Sequence, residues 1–253
     1  MYPYYNIHST YFKSSKYINN KHFHYLNILN KSEYEIISLI KEINPSIMIS
    51  AIRGEFLSQL YFHEIIINYV RNNSCRIIYL SSTSVFDGYK NFPNYELDKT
   101  FSKSKFGYFK IKIENKLLQL EKNKYCLVRI PFVIGRNSPK INEIKNKIKL
   151  DIPIEVFPNL IVNIINSSKI ALNIHHIVNK KINGVIHLGS QDLIQHVELI
   201  KKVIENLNIT YYKLKYVYTS NENRYIALFS KNKNLPKSLN FNIKSIIDSL
   251  KLK

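Results

Sequence analysis

Short apolar runs separated by stretches of helical periodicity fill this 253-residue chain, and that alternation admits few folds. Ile47–Ala51, Cys75–Ser81 and Tyr125–Ile130 are too short for helices and lack the alternation of a half-exposed strand. They read as buried strands of a parallel sheet. Helical patterns lie between them, at Ser32–Ile43, Phe56–Val70 and Lys105–Leu120. In the first of these, Ser32 and Glu35 make a capping box, and Ile36, Leu39, Ile40 and Ile43 share one face. Pro45 closes that helix. Tyr5–Phe12 and Phe23–Asn27 add two more candidate strands. The class is α/β.

The texture changes after Asp151. Residues 152–158 form a short extended piece with two prolines, Ser167–Val178 reads as a helix, and Gly184–Leu188 as a strand. A helix over Leu193–Leu207, strands at Lys215–Tyr218 and Tyr225–Phe229, and a terminal helix at Ile243–Leu250 follow. The expected division is a first domain over 1–150 and a smaller α/β lobe over 151–253, packed directly on it because no low-complexity linker intervenes.

Composition removes several classes. No apolar run approaches the roughly 18 residues that span a bilayer, so no membrane partner is expected. The first eight residues lack a basic segment followed by an apolar one, so they are not read as a secretory signal. Cys75 and Cys126 lie far apart, each beside an apolar run. They read as two buried thiols of a cytoplasmic protein rather than a disulfide or a metal site. The net charge of +19 comes from lysines scattered through every segment, with no nucleic-acid-binding motif. It reads as a compositional bias toward Lys, Asn, Ile and Tyr, without a specific nucleic-acid partner, although a basic surface attracts a diphosphate. His187 reads as a core histidine, His175 and His176 as packing or surface residues, and His22 and His24 carry no signal.

Three segments in order carry chemistry. They are residues 78–88 (Ile-Tyr-Leu-Ser-Ser-Thr-Ser-Val-Phe-Asp-Gly), Phe106-Gly-Tyr-Phe-Lys110 with Glu114 beyond it, and residues 127–135 (Leu-Val-Arg-Ile-Pro-Phe-Val-Ile-Gly). Together they resemble the extended short-chain dehydrogenase/reductase family. Within it they are most similar to the RmlD-like, dTDP-4-dehydrorhamnose-reductase-type branch, with its S-T-D-Y-V-F-D-G, Y-G-x-x-K and R-x-x-x-x-x-G patterns. The resemblance extends over about residues 5–250.

Such enzymes reduce a keto sugar with a hydride from NAD(P)H and a proton delivered to the carbonyl oxygen. In the family a Tyr gives the proton, a Lys one turn later lowers its pKa and holds the nicotinamide ribose, and a Ser or Thr binds the carbonyl oxygen. The resemblance assigns these roles to Ser82 and Lys110, but Phe106 stands at the Tyr position and has no hydroxyl. Tyr108 is two residues along and points to a different side of a helix. Asp87 reads as a turn former. By the same resemblance Ala51, Ile52, Arg53, Ser81, Lys110, Pro131 and Phe132 line the cofactor, and Asn27 stands where an Asp commonly meets adenine.

The fold implied is a Rossmann-like NAD(P)-binding-type domain. No glycine occurs before Gly54, and the resemblance enters at the family's second strand. The expectation is therefore a parallel sheet lacking its central first strand and its glycine loop, from a shortened product or a late start. Loss of that strand would leave a gap near 10 Å, or force its neighbours to close up. The functional expectation is an NAD(P)-dependent sugar-nucleotide reductase-like protein impaired at Phe106. The alternative is a non-catalytic sugar-nucleotide-binding or regulatory subunit on the same fold. The partner implied is a nucleotide sugar, dTDP-linked in this branch. The choice of NADH or NADPH, read near Thr10–Lys13, is left open. A homo-oligomer is compatible with the sequence, and no metal is expected.

Overall fold

A computed structural model describes residues 5–13, 20–89, 91–219 and 221–250. In chain order the elements are β1 (Ser9–Tyr11), β2 (Phe23–Tyr25), α1 (Glu33–Ile43), β3 (Ile47–Ser50), α2 (Phe56–Asn72), β4 (Arg76–Ser82), α3 (Lys105–Leu117), β5 (Tyr125–Ile130), β6 (Phe132–Val133) and α4 (Pro139–Lys149). Then come β7 (Ile154–Val156), β8 (Leu160–Val162), β9 (Ile164–Ile165), α5 (Ser167–Asn179), β10 (Gly184–His187), β11 (Ile194–Gln195), α6 (His196–Asn206), β12 (Leu214–Tyr216), β13 (Arg224–Ile226) and α7 (Ile243–Asp248). The fold is α/β with mainly parallel strand pairs. Its largest sheet has the order β10-β5-β4-β3. The chain divides into two compact units, Met1–Tyr79 with Lys112–Cys126, and Leu80–Ile111 with Leu127–Lys253.

In the first unit β3 pairs in parallel with β4, from Ile47 opposite Arg76 to Ser50 opposite Tyr79. Helix α1 starts on the expected capping box: Ser32 Oγ accepts from Glu35 N at 3.3 Å, and the Glu35 carboxylate accepts from Ser32 N at 2.9 Å. Its Ile36 and Ile40 are buried. Helix α2 buries Phe62, Ile65, Ile66 and Val70, together with His63. The His63 Nδ1–H donates to the Gln59 carbonyl at 2.6 Å. That fixes the tautomer, so Nε2 accepts from Ser50 Oγ at 2.8 Å. One backbone bond and one hydroxyl thus satisfy a histidine that is only 1% exposed.

The strand expected over Tyr5–Phe12 is limited to Ser9–Tyr11, because its ladder extends only over the three residues that pair with Phe23–Tyr25. Among the described residues, β1 and β2 form a sheet by themselves. The run at Ile47–Ala51, read as a buried strand, is among the described residues an edge strand whose Ile49 is 46% exposed. A strand with a neighbour on one side only cannot be covered as an interior strand is.

In the second unit, Leu127 and Val128 of β5 and Ile186 of β10 are fully buried. β6 pairs in parallel with β9, and β8 lies between antiparallel β11 and parallel β13. β12 pairs in parallel with β7. Asn163, between β8 and β9, is fully buried. Its amide donates to the carbonyls of Leu228 at 2.7 Å and Ser190 at 3.1 Å, while its oxygen accepts from Leu228 N at 3.1 Å. Helix α4 was not evident in the sequence. Its eleven residues are rich in Lys and Asn, and it is started by Ser138 as N-cap with a proline in the first turn, while Ile141 and Ile144 anchor it.

Candidate functional site

Strand β4 ends in Ser81, which is buried, and Ser82, which is half-buried. Ser82 Oγ accepts from Ser84 N at 3.2 Å and thereby caps a short 3₁₀ turn over Thr83–Phe86. The same hydroxyl donates to Ser84 Oγ at 3.2 Å. After the turn, Asp87 Oδ1 accepts from Lys103 N at 2.7 Å, Ser102 Oγ at 2.9 Å and Ser104 N at 3.4 Å. Burial pushes this carboxyl up, but the hydrogen bonds from Ser104, Lys103 and Ser102 outweigh it and hold its pKa below the usual value. Asp87 thus fastens the segment that leads into α3.

Helix α3 then crosses the turn at very close range. A Cβ on Gly107 would lie 2.1 Å from the Ser84 carbonyl and 2.2 Å from Ser102 Oγ. Only a glycine allows this approach. One turn later, Lys110 is 7% exposed and its ammonium donates to the Leu80 carbonyl at 3.2 Å. Leu80 is two residues before Ser82, so the structure brings Lys110 to the strand end that carries Ser82. The Lys110 ammonium also lies 5.7 Å from the Phe106 ring centroid and 5.5 Å from that of Phe109. Phe106 is 39% exposed, so an apolar ring occupies the place beside the lysine. Tyr108 is 56% exposed.

Beyond β5, Pro131 is buried and Phe132 partly so, the latter with its ring 6.1 Å from that of His196. Arg129 is turned inward. Its guanidinium donates to the Glu96 carbonyl at 3.3 Å and lies 4.9 Å from the Phe86 ring centroid. In the first unit, Ala51, Ile52 and Arg53 form the exposed to half-exposed loop between β3 and α2. Asn27 closes a local turn by accepting from Leu29 N at 3.1 Å.

The RmlD substrate binding domain matches residues 61–228, well over half of the chain. The chain belongs to this family. No curated protein matches it by sequence. Among solved structures, dTDP-4-dehydrorhamnose reductase from Yersinia enterocolitica superposes with a TM-score of 0.73 at 17% identity, covering 92% of this chain and 91% of that one. The Bacillus anthracis dTDP-4-dehydrorhamnose reductase in complex with NADP gives 0.66 at 15% identity, covering 82% and 81%. The Bordetella bronchiseptica enzyme WbmG in complex with NAD and UDP gives 0.76 at 9% identity, covering 96% and 84%. At these identities the likeness is one of fold.

Membership in the RmlD family raises the question of NAD(P). A dinucleotide's pyrophosphate is held by free backbone N–H groups at a helix start beyond a strand. In the first unit both helices that follow a strand start on carboxylates. At α1 the Glu35 carboxyl, held down to about 2 by Lys31 and then by Ser32, closes the cap. At α2 the Glu55 carboxylate accepts from Leu57 N at 2.8 Å and Ser58 N at 2.7 Å, and these bonds lower its pKa. A phosphate at either start would meet a negative charge and N–H groups already taken. Neither of these two helix starts therefore fits the pyrophosphate of NAD(P). Among the described residues no group of His, Cys, Asp and Glu could hold a metal ion, and no helix is long and apolar enough to cross a membrane.

Sequence reasoning missed His63, Asn163 and the capping role of Glu55. A glutamate before a helix is too common to single out, and the Asn163 bonds reach residues 27 and 65 positions away.

Proposed function

We propose that this protein binds a nucleotide sugar on the reductase scaffold without reducing it. Membership in the RmlD family supports the ligand class. The observation that carries the loss of reduction is Phe106, whose ring lies beside the Lys110 ammonium where a proton-donating hydroxyl would be needed. Ser82 and Lys110 then act as binding groups, Ser82 through its hydroxyl and Lys110 through its charge. The ligand would be dTDP-linked if the substrate class of the Yersinia reductase carries over.

A second reading, a weakened NAD(P)H-dependent reductase, is favoured by the Lys110–Leu80 bond, which keeps the lysine at the end of the strand bearing Ser82. One pair of experiments separates the two. Calorimetry with dTDP-glucose should give saturable binding with Kd below about 1 mM. Turnover of a dTDP-4-keto sugar with NADPH should be undetectable both in the native chain and in Phe106→Tyr. Absence of dTDP-glucose binding overturns the proposal. A rise of about 100-fold or more in turnover on Phe106→Tyr, the usual scale of general-acid catalysis, establishes the second reading instead.

A further inference from the structure

A cavity of about 210 Å³ opens in the second unit, between the end of β10 and residues 228–241. None of Ser82, Phe106, Lys110 and Pro131 lines it, so the cavity stands apart from the nucleotide-sugar reading. Its walls include buried Leu188 and Phe241. Polar groups join them: the cations Lys231 and Lys233, the amides Asn173, Gln191, Asn232 and Asn240, and the Ser230 hydroxyl. No Asp or Glu lines the cavity.

Lys231, Lys233, Gln191 and Asn240 are uncommitted. Among the described residues neither lysine is in an ion pair, and neither the Gln191 nor the Asn240 side chain makes a hydrogen bond. The Lys231 ammonium lies 4.1 Å from the Tyr95 ring centroid, which positions the charge without neutralising it. The carboxylate nearest in the hydrogen-bond network, Glu96, is taken up by Ser230 Oγ, by Lys231 N at 3.0 Å and by His187 N at 3.3 Å. His187 also lines the cavity, but both its ring nitrogens are occupied. Nδ1–H faces the carbonyls of Phe229 at 3.1 Å and Asn94 at 3.2 Å, and Nε2 faces Arg129 at 3.2 Å. With the His187 ring nitrogens occupied, the charged groups that the cavity offers a ligand are Lys231 and Lys233.

Unpaired cations beside an apolar wall select a ligand with one anionic group and one apolar face. We propose that this cavity binds a small organic carboxylate, its charge read by Lys231 and Lys233 and its body laid on Leu188 and Phe241. The volume accommodates a single ring or a short chain.

Benzoate, with benzyl alcohol as its uncharged counterpart, tests this in the intact chain by calorimetry. Benzoate should bind once per chain with Kd below about 10 mM, and benzyl alcohol at least about tenfold more weakly. The double variant Lys231→Gln/Lys233→Gln should lose about tenfold in benzoate affinity, with an unchanged melting temperature. A control that removes the same charge elsewhere, Lys122→Gln/Lys149→Gln, should bind benzoate like the native chain. Non-saturating benzoate titration, equal affinity for benzyl alcohol, no loss in the Lys231/Lys233 variant, or an equal loss in the control would each overturn the proposal.

Discussion

The Arg129 guanidinium donates a hydrogen bond to Nε2 of His187 at 3.2 Å in a place where both residues are almost wholly buried. The contact works only if the imidazole is neutral. Burial first, and the neighbouring Arg129 charge second, hold the His187 pKa down to about 4. His196, against Phe132 and Phe157, is held to about 4 by burial and then by Lys140.

Both histidines tie stability to pH in one direction. Unfolded histidine titrates near 6.5, so between about 6.5 and about 4 the unfolded chain binds protons that the folded chain refuses. The stability they contribute is complete above about pH 6.5 and falls as pH drops toward 4. Each histidine adds a slope of up to about 1.4 kcal/mol per pH unit. Denaturant melts at pH 7, 6 and 5 should show this loss, and His196→Phe should reduce the slope. A stability that is flat over that range would contradict the account.

Gly107 fixes the approach of α3 to the turn after β4. Its replacement by alanine puts a methyl 2.1 Å from the Ser84 carbonyl, which is backbone and cannot give way cheaply. We expect Gly107→Ala to cost about 1–3 kcal/mol and to weaken nucleotide-sugar binding, because Lys110 shifts with the helix. Denaturant melts and calorimetry read the two effects.

Asn163→Ala removes three hydrogen bonds to buried backbone groups and leaves the Leu228 N–H and carbonyl and the Ser190 carbonyl without that partner. The expected loss is about 3 kcal/mol, measured by urea unfolding. Asn163→Asp keeps the acceptor to Leu228 N but faces two carbonyls with oxygen, so it should do no better.

The two thiols should be inert in the folded chain. Burial pushes Cys75 up to about 11 and Cys126 up to about 12, so neither forms thiolate at neutral pH. An aromatic disulfide reagent at pH 8 should label neither cysteine in the native protein and both in guanidinium chloride.

Legibility in the sequence followed the range of the forces. The α1 capping box spans four residues and was read residue for residue, and β5 begins and ends with its apolar run. The roles of Ser82 and Lys110 rest on a resemblance; in the structure the Lys110 ammonium bonds the Leu80 carbonyl, two residues before Ser82. What was hidden depends on distant partners. Ile49 looks like an interior residue until the strand order makes β3 an edge. Helix α4 buries only Ile141 and Ile144 among polar neighbours, so its periodicity is faint. Nothing local announces that Asn163 bridges two segments of the second unit.

The isolated β1–β2 pair has a thermodynamic consequence of its own. Among the described residues, three registered residue pairs, extended by the Leu26 N bond to the Tyr11 carbonyl at 2.9 Å, form a ladder that shares no pairing with β3 and β4. We expect so short a ladder to open locally at a free energy below that of global unfolding. Its amides should exchange with deuterium well before those of β4, and a partner that bound there would register first as slowed exchange in this corner of the chain.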